Sequence, residues 1–230
     1  MCFSATASFT AGAVLSGLGV ASVRSVSRPA HMPLAGIPFL FAAQQITEGV
    51  LWLSLTHPSW EPFREFTTYG FLIIAQVLWP LCLPVAFILF EPDAKRKKWM
   101  KLFLGTGVLT AVYFLYCLIV FPVDARVEHN HIYYDLDFPV QLVPVAAFLY
   151  VISTSAPPLF SSSRKIQLIG LIIASFYVLT RLYFQPNLIS VWCYFGTTIA
   201  LFIYMALRER IKDFSSKLSA GNDVRYPGRA

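Results

Sequence analysis

Charge is scarce in this chain. Asp, Glu, Lys and Arg make up 13% of its 230 residues, about half of the ~25% usual in a soluble domain. Apolar residues take their place, at 57% of the sequence with a mean hydropathy of +0.62, where a soluble domain holds about 45–50%. A water-soluble particle of this length has no core large enough for that excess, so lipid is the expected solvent. Cysteine is sparse as well. Cys2, Cys82, Cys117 and Cys193 stand far apart, without the short spacing of a CxxC metal or redox motif, and they indicate no disulfide scaffold. The start, Met1-Cys2-Phe3-Ser4, lacks a basic segment and an apolar run before a small-residue cleavage site. No cleavable signal peptide is therefore expected, and the first helix serves as its own insertion signal. No internal repeat of the transporter kind is found.

Long apolar runs are what the sequence has instead. A bilayer span needs ~20 mostly apolar residues and tolerates internal Pro and Gly when neighbouring helices cover the freed backbone groups. Seven stretches qualify, from Ser8 to Val23, Leu34 to Leu55, Thr68 to Phe90, Leu102 to Phe121, Phe138 to Ala156, Ile166 to Phe184 and Leu188 to Leu207. The expected fold class is all-α, a polytopic seven-transmembrane-helix bundle over residues 1–207 with a short basic cytoplasmic tail over 208–230. The fifth stretch is interrupted by Pro139 and Pro144, which allows a kink or a re-entrant segment.

The net charge of +6 is unevenly spread. Of the 18 Lys and Arg residues, only Arg64, Arg126 and Arg181 fall in one alternate set of connections. All the others fall in the opposite set, including the run Lys95-Arg96-Lys97-Lys98 and the C-terminal tail. Basic loops stay in the cytoplasm, so the N-terminus is expected outside and the C-terminus inside a cell membrane crossed several times. The basic run reads as a topology anchor, with a lipid-headgroup site as the alternative. The cytoplasmic segments are too short for a domain, and nothing in them calls for nucleic acid.

The longest outer connection, Val123 to Asp137, alternates apolar and polar residues around His129-Asn130-His131. That pattern suggests a short β-hairpin over the outer mouth of the bundle, with a simple coil as the alternative. In an extended segment His129 and His131 point the same way. With Cys2 on the same side, and Glu48 or Asp135 supplying oxygen, they form a set suited to zinc first and copper second. Solvated loop histidines and a Cys2 that merely precedes a helix are the plainer readings, with Ser4, Thr6 or Ser8 as N-cap.

The second span carries Gln44, Gln45 and Glu48, followed by Trp52. Glu48 lies seven residues before the outer end at Leu55, about 10 Å deep at ~1.5 Å per residue. An ionised carboxylate at that depth is expensive and should face the interior beside a partner. Gln76 and Arg181 come from similar depth, so a Glu48–Arg181 pair is allowed. Glu48 is either a functional carboxylate or a polar device that fixes helix packing.

The opening Met1-Cys2-Phe3-Ser4-Ala5-Thr6-Ala7-Ser8-Phe9 and the segment Gln44-Gln45-Ile46-Thr47-Glu48-Gly49-Val50-Leu51-Trp52 resemble a family of small, mostly bacterial multi-pass membrane proteins. The resemblance implies a membrane protein over most of the chain. It implies no particular activity, since that family has no established one.

The functional expectation is an outward-facing polar pocket of Glu48, Gln44, Gln45, Gln76 and Arg181 under the histidine loop. A zinc ion held by Cys2, His129 and His131 would activate water to hydrolyse a lipid or another amphiphile, with Glu48 as general base. The alternative is a non-enzymatic receptor subunit or a metal or proton transporter, although an ion path lacks a second carboxylate in the cytoplasmic half. Expected partners are the lipid bilayer and a small-molecule or lipid ligand, with a homo-oligomer left open.

Overall fold

The computed structural model describes residues 4–26, 28–128, 130–183 and 196–208. Helix α1 (Ala5–Arg24) starts on Ser4, whose backbone is extended and whose hydroxyl accepts the Ala7 N–H, and it ends with Arg24 in its last turn. Of the three candidate caps, Ser4 takes the role, which leaves Ser8 free to face inward. Ser8, Ala11, Gly12, Leu15, Gly19 and Ser22 are buried, a stripe of mostly small residues at spacings of three and four. Such a stripe lets two membrane helices approach closely. Helix α2 (Met32–Thr56) lies along it, with Ile46 filling the space beside Gly12 and the Phe39 ring the space beside Gly19.

The third segment is one continuous helix over Pro58–Phe90 that changes pitch three times. A 3₁₀ turn (Pro58–Phe63) leads into α3 (Arg64–Leu72), a π-helical stretch (Ile73–Leu78) and α4 (Trp79–Phe90). Helix α5 (Ala94–Val120) is capped by Asp93, whose carboxylate accepts the N–H groups of Lys95 and Arg96. After the hairpin come α6 (Val143–Leu159), α7 (Arg164–Tyr183) and α8 (Gly196–Arg208).

Five of these segments are long and apolar enough to cross a bilayer, over Ala5–Arg24, Pro29–Thr56, Pro58–Phe90, Ala94–Val120 and Arg164–Tyr183. The molecule thus has the make-up of an integral membrane protein. Helix α6 begins at Val143 rather than at Phe138, because the chain turns at Pro139, whose carbonyl accepts the Leu142 N–H. Its 17 residues rise only about 25 Å at ~1.5 Å per residue, short of a ~30 Å hydrocarbon core. The described part of the last segment, Gly196–Arg208, is also shorter than a full span.

Two apolar cores stack along the bundle. One joins Leu15, Leu34, Phe41, Phe87, Ile169 and Ile203; the other joins Leu51, Phe71, Leu72, Cys117, Ile132 and Tyr134. The hairpin is present, with β1 (Val123–Glu128) antiparallel to β2 (His131–Leu136). Asn130 takes the positive φ of 62° that closes the turn, a conformation Asn tolerates better than most residues. Ala125, Ile132 and Tyr134 are buried on its inner face, and the Tyr134 ring stacks on Phe71 at 5.1 Å. The outer face pairs Asp124 with Asp135 and Arg126 with Tyr133. Two arginines offset the facing carboxylates: Arg64 meets Asp124 at 2.7 Å, and Arg126 meets Asp135 at 2.9 Å and Glu128 at 2.7 Å.

At the opposite end a clasp that the sequence does not advertise joins two connections. Glu91, 1% exposed, accepts the Ser161 hydroxyl at 2.8 Å and the Ser162 N–H at 2.7 Å. Arg96 donates to the Phe160 and Ser161 carbonyls, which end α6. Burial works to raise the Glu91 pKa, but the bonds from Ser162, Ser161 and the Asp93 N–H outweigh it and hold the carboxyl below its ordinary value. Its stabilisation is therefore fully present above the unfolded value of ~4.3 and is lost as pH falls through the lower folded value. Glu91→Gln should lower stability by about 1.5–3 kcal/mol at neutral pH. It should also flatten the acid limb of thermal unfolding; an unchanged acid limb would remove Glu91 from that transition.

Candidate functional site

Two groups of polar residues in the bundle interior stand out among the described residues. In the first, α1 and α2 enclose Glu48, which is 0% exposed. Its Oε2 accepts from the Ser8 hydroxyl at 3.5 Å and from Gln45 Nε2 at 3.3 Å. Both are long for bonds to a carboxylate, which usually run nearer 2.7–2.9 Å. Gln45 reaches Glu48 along its own helix by the i, i+3 relation, and its Oε1 has no hydrogen-bond partner among the described residues. One turn away, Gln44 Oε1 accepts the Trp79 indole N–H at 2.6 Å and ties α2 to α4. Neither Ser8 nor Trp79 was expected here from the sequence. The available signal for Ser8 is its place at the head of the small-residue stripe of α1.

The second group surrounds a cavity of about 690 Å³ between the π-helical stretch, α5, α6, α7 and the root of the hairpin. Its walls include Phe114, Phe138, Phe148 and Val151, and its polar lining is Gln76, Tyr150, Tyr177 and Arg181. Local backbone chemistry makes the floor. In the π-helical stretch the Trp79 N–H bonds the Ile74 carbonyl five residues back, and the next residue, Pro80, has no N–H to offer Ala75 in the same register. The Ala75 carbonyl is released and takes the Tyr150 hydroxyl at 2.7 Å. Such π segments recur where a helix gives up regular bonding at a functional position.

Gln76 sits in that stretch, 6% exposed, and its carboxamide makes no hydrogen bond among the described residues, with Oε1 enclosed and unpartnered. Leaving such a group buried costs about 1–3 kcal/mol. Arg181, at the cavity's exposed edge, forms no ion pair among the described residues. The structure thus brings Gln76 and Arg181 to one cavity and places Gln44, Gln45 and Glu48 outside its lining. Glu48 and Arg181 are not paired.

Of Cys2, His129 and His131 only His131 is placed, half-buried and paired across the strands with Glu128 on the same hairpin face. Cys2 and His129 lie outside the described residues. Asp135, the alternative oxygen ligand, is engaged by Arg126. No three His, Cys, Asp or Glu side chains converge on a common point among the described residues.

An apolar helical membrane-type bundle with an internal polar cluster and a lined cavity is the class these features define. The chain belongs to the Family of unknown function (DUF6629), whose model matches residues 1–217. Comparison with curated proteins finds no match, and comparison with solved structures finds none.

Proposed function

We propose that the chain is a seven-span membrane protein, N-terminus outside and C-terminus inside, that holds a small amphiphilic molecule in the cavity beneath the hairpin. The observation that carries this reading is the buried Gln76 carboxamide, unbonded among the described residues, in a mostly apolar cavity. About 690 Å³ falls within the ~300–1,000 Å³ of small-molecule sites, which combine apolar walls with a few polar groups that orient the ligand. Binding is favoured over hydrolysis because no Ser, Cys, His, Asp or Glu stands among the described lining residues, and the Tyr150 hydroxyl is already bonded to the Ala75 carbonyl. The basic connections at the Glu91 end and the acidic hairpin at the other support the orientation.

The test uses purified protein in phosphatidylcholine nanodiscs and dansyl-undecanoate, whose emission rises in an apolar site. Saturable binding is expected, and Val151→Trp, which fills the cavity, should abolish it. Leu109→Trp, on the exposed face of α5, should leave it unchanged; equal binding by both variants would end the reading. A reporter active only in the cytoplasm should work when fused after Ala230 and fail when inserted in the hairpin. The zinc-dependent hydrolysis expected from Cys2, His129 and His131, with Glu48 as base, is carried by the sequence alone. Roughly one zinc per chain in washed protein would support it, and none would end it.

A further inference from the structure

The cavity has a charge sign as well as a shape. Among the described residues Arg181 is its only lining cation and no carboxylate lines it. The nearest acidic residue in sequence to the lining positions Leu136 and Phe138 is Asp137, which is exposed and is not part of the lining. Other cations on the hairpin side are already engaged: Arg64 is held by Asp124 and the Ala125 carbonyl, and Arg126 by Glu128 and Asp135. Arg181 differs from both in having no such partner among the described residues. A guanidinium at the rim of an apolar cavity, in a region of reduced dielectric, attracts an anion more strongly than one in open water.

The lining is also graded in exposure. Arg181 lies in the last turn of α7 at the exposed edge. The buried end holds Gln76 and Ala75 of the π-helical stretch, with Phe114 and Phe138 among the residues forming the walls. A molecule matching this order carries its charge at one end and an apolar body behind it.

Resting on the amphiphile reading above, we propose that the occupant is a single-chain anionic amphiphile, with a carboxylate or phosphate head on the Arg181 guanidinium and its chain between α5, α6 and α7. The fork of a guanidinium takes either head group through paired N–H bonds. A single chain is favoured because a cavity of about 690 Å³ has the size of a small-molecule site, and a bilayer phospholipid would add a second chain and a larger head group to it. Gln76 serves as the inner polar anchor for any ligand, whereas Arg181 selects its charge.

Competition against dansyl-undecanoate in the same nanodiscs separates the two levels. Decanoate and decyl phosphate should displace the probe about tenfold more effectively than neutral decyl maltoside, and decyltrimethylammonium should be the weakest. Arg181→Gln should bring decanoate and decyl maltoside to equal potency while preserving thermal stability, because the exposed Arg181 holds no structural partner among the described residues. Gln76→Leu should weaken all of them together. Equal potency of the anionic and neutral competitors on the unaltered protein would overturn the anionic assignment while leaving the cavity reading intact. Absence of saturable probe binding, or binding insensitive to Val151→Trp, would overturn both. Nanodiscs enriched in phosphatidylglycerol should leave decanoate potency unchanged once surface charge is matched in the zwitterionic control with a charged lipid of different head group. Selective loss in phosphatidylglycerol would show a two-chain bilayer lipid in the site and overturn the single-chain assignment.

Discussion

Gly107→Ala should yield little folded protein, while Gly105→Ala, two positions away on the same helix, should be neutral or mildly stabilising. The contrast follows from one contact. Pro84 has no N–H, so the Pro80 carbonyl four residues earlier loses its partner in the helix. Helix α5 passes over that carbonyl at Gly107, where an added methyl group would run into the Pro80 oxygen, with the Ser153 side chain of α6 closing the other side. Backbone cannot swing away as a flexible side chain can. Separation of α4 from α5 is then the remaining response, and a loss of about 3 kcal/mol or more is expected from so unyielding an overlap. A Cβ added at Gly105 would meet nothing within 4 Å beyond the helix's own backbone among the described residues, and Ala is favoured over Gly by up to ~1 kcal/mol in a helix interior. Extraction yield and thermal unfolding in detergent read both variants, and a normally folded Gly107→Ala would show that the two helices do not meet at this point.

Replacing Glu48 should separate hydrogen bonding from packing. Glu48→Gln retains the shape and one acceptor for Ser8 and Gln45, and it should cost about 1 kcal/mol or less. Glu48→Ala removes the acceptor and leaves a void, so a loss of about 2–4 kcal/mol is expected. Glu48→Leu fills the space but orphans the two donors, and it should fall between them. Thermal unfolding orders the three variants. If Glu48→Leu proves as stable as the unaltered chain, the carboxylate is not the centre of the cluster, because an apolar isostere is neutral only where no donor is stranded. Ligand binding should be preserved in Glu48→Gln, since Glu48 does not line the cavity; its loss there would join the two polar groups into one site.

Much of the architecture was legible in the linear order of residues, and the reasons are local. Long apolar runs, broken by Pro-rich and basic connections, mark helices wherever a backbone in lipid must satisfy its own hydrogen bonds. Alternation around Asn130 marks the hairpin, because strand side chains alternate and Asn accepts the turn conformation. Gln44, Gln45, Glu48 and Gln76 stand out as polar residues within apolar runs, and each is buried. The start of α6 was misplaced by the sequence reading because Phe138 is as apolar as a membrane helix requires, yet it packs beside Phe114 and Phe121 at the hairpin root.

What composition and order determined for this chain is its solvent, its helices and the short list of buried polar side chains, because those follow from each segment's own transfer free energy and periodicity. Which polar groups meet was a matter for the folded chain. Gln44 found Trp79 across 35 positions and Glu91 found Ser161 across 70, partners that no local spacing connects. The separation of Glu48 from the Gln76 and Arg181 cavity has the same origin. Depth in the membrane is readable from position along a helix, but the direction a side chain faces is set by the rotation of one packed helix against another, and that depends on contacts such as Gly12 with Ile46 and Gly107 with Pro80.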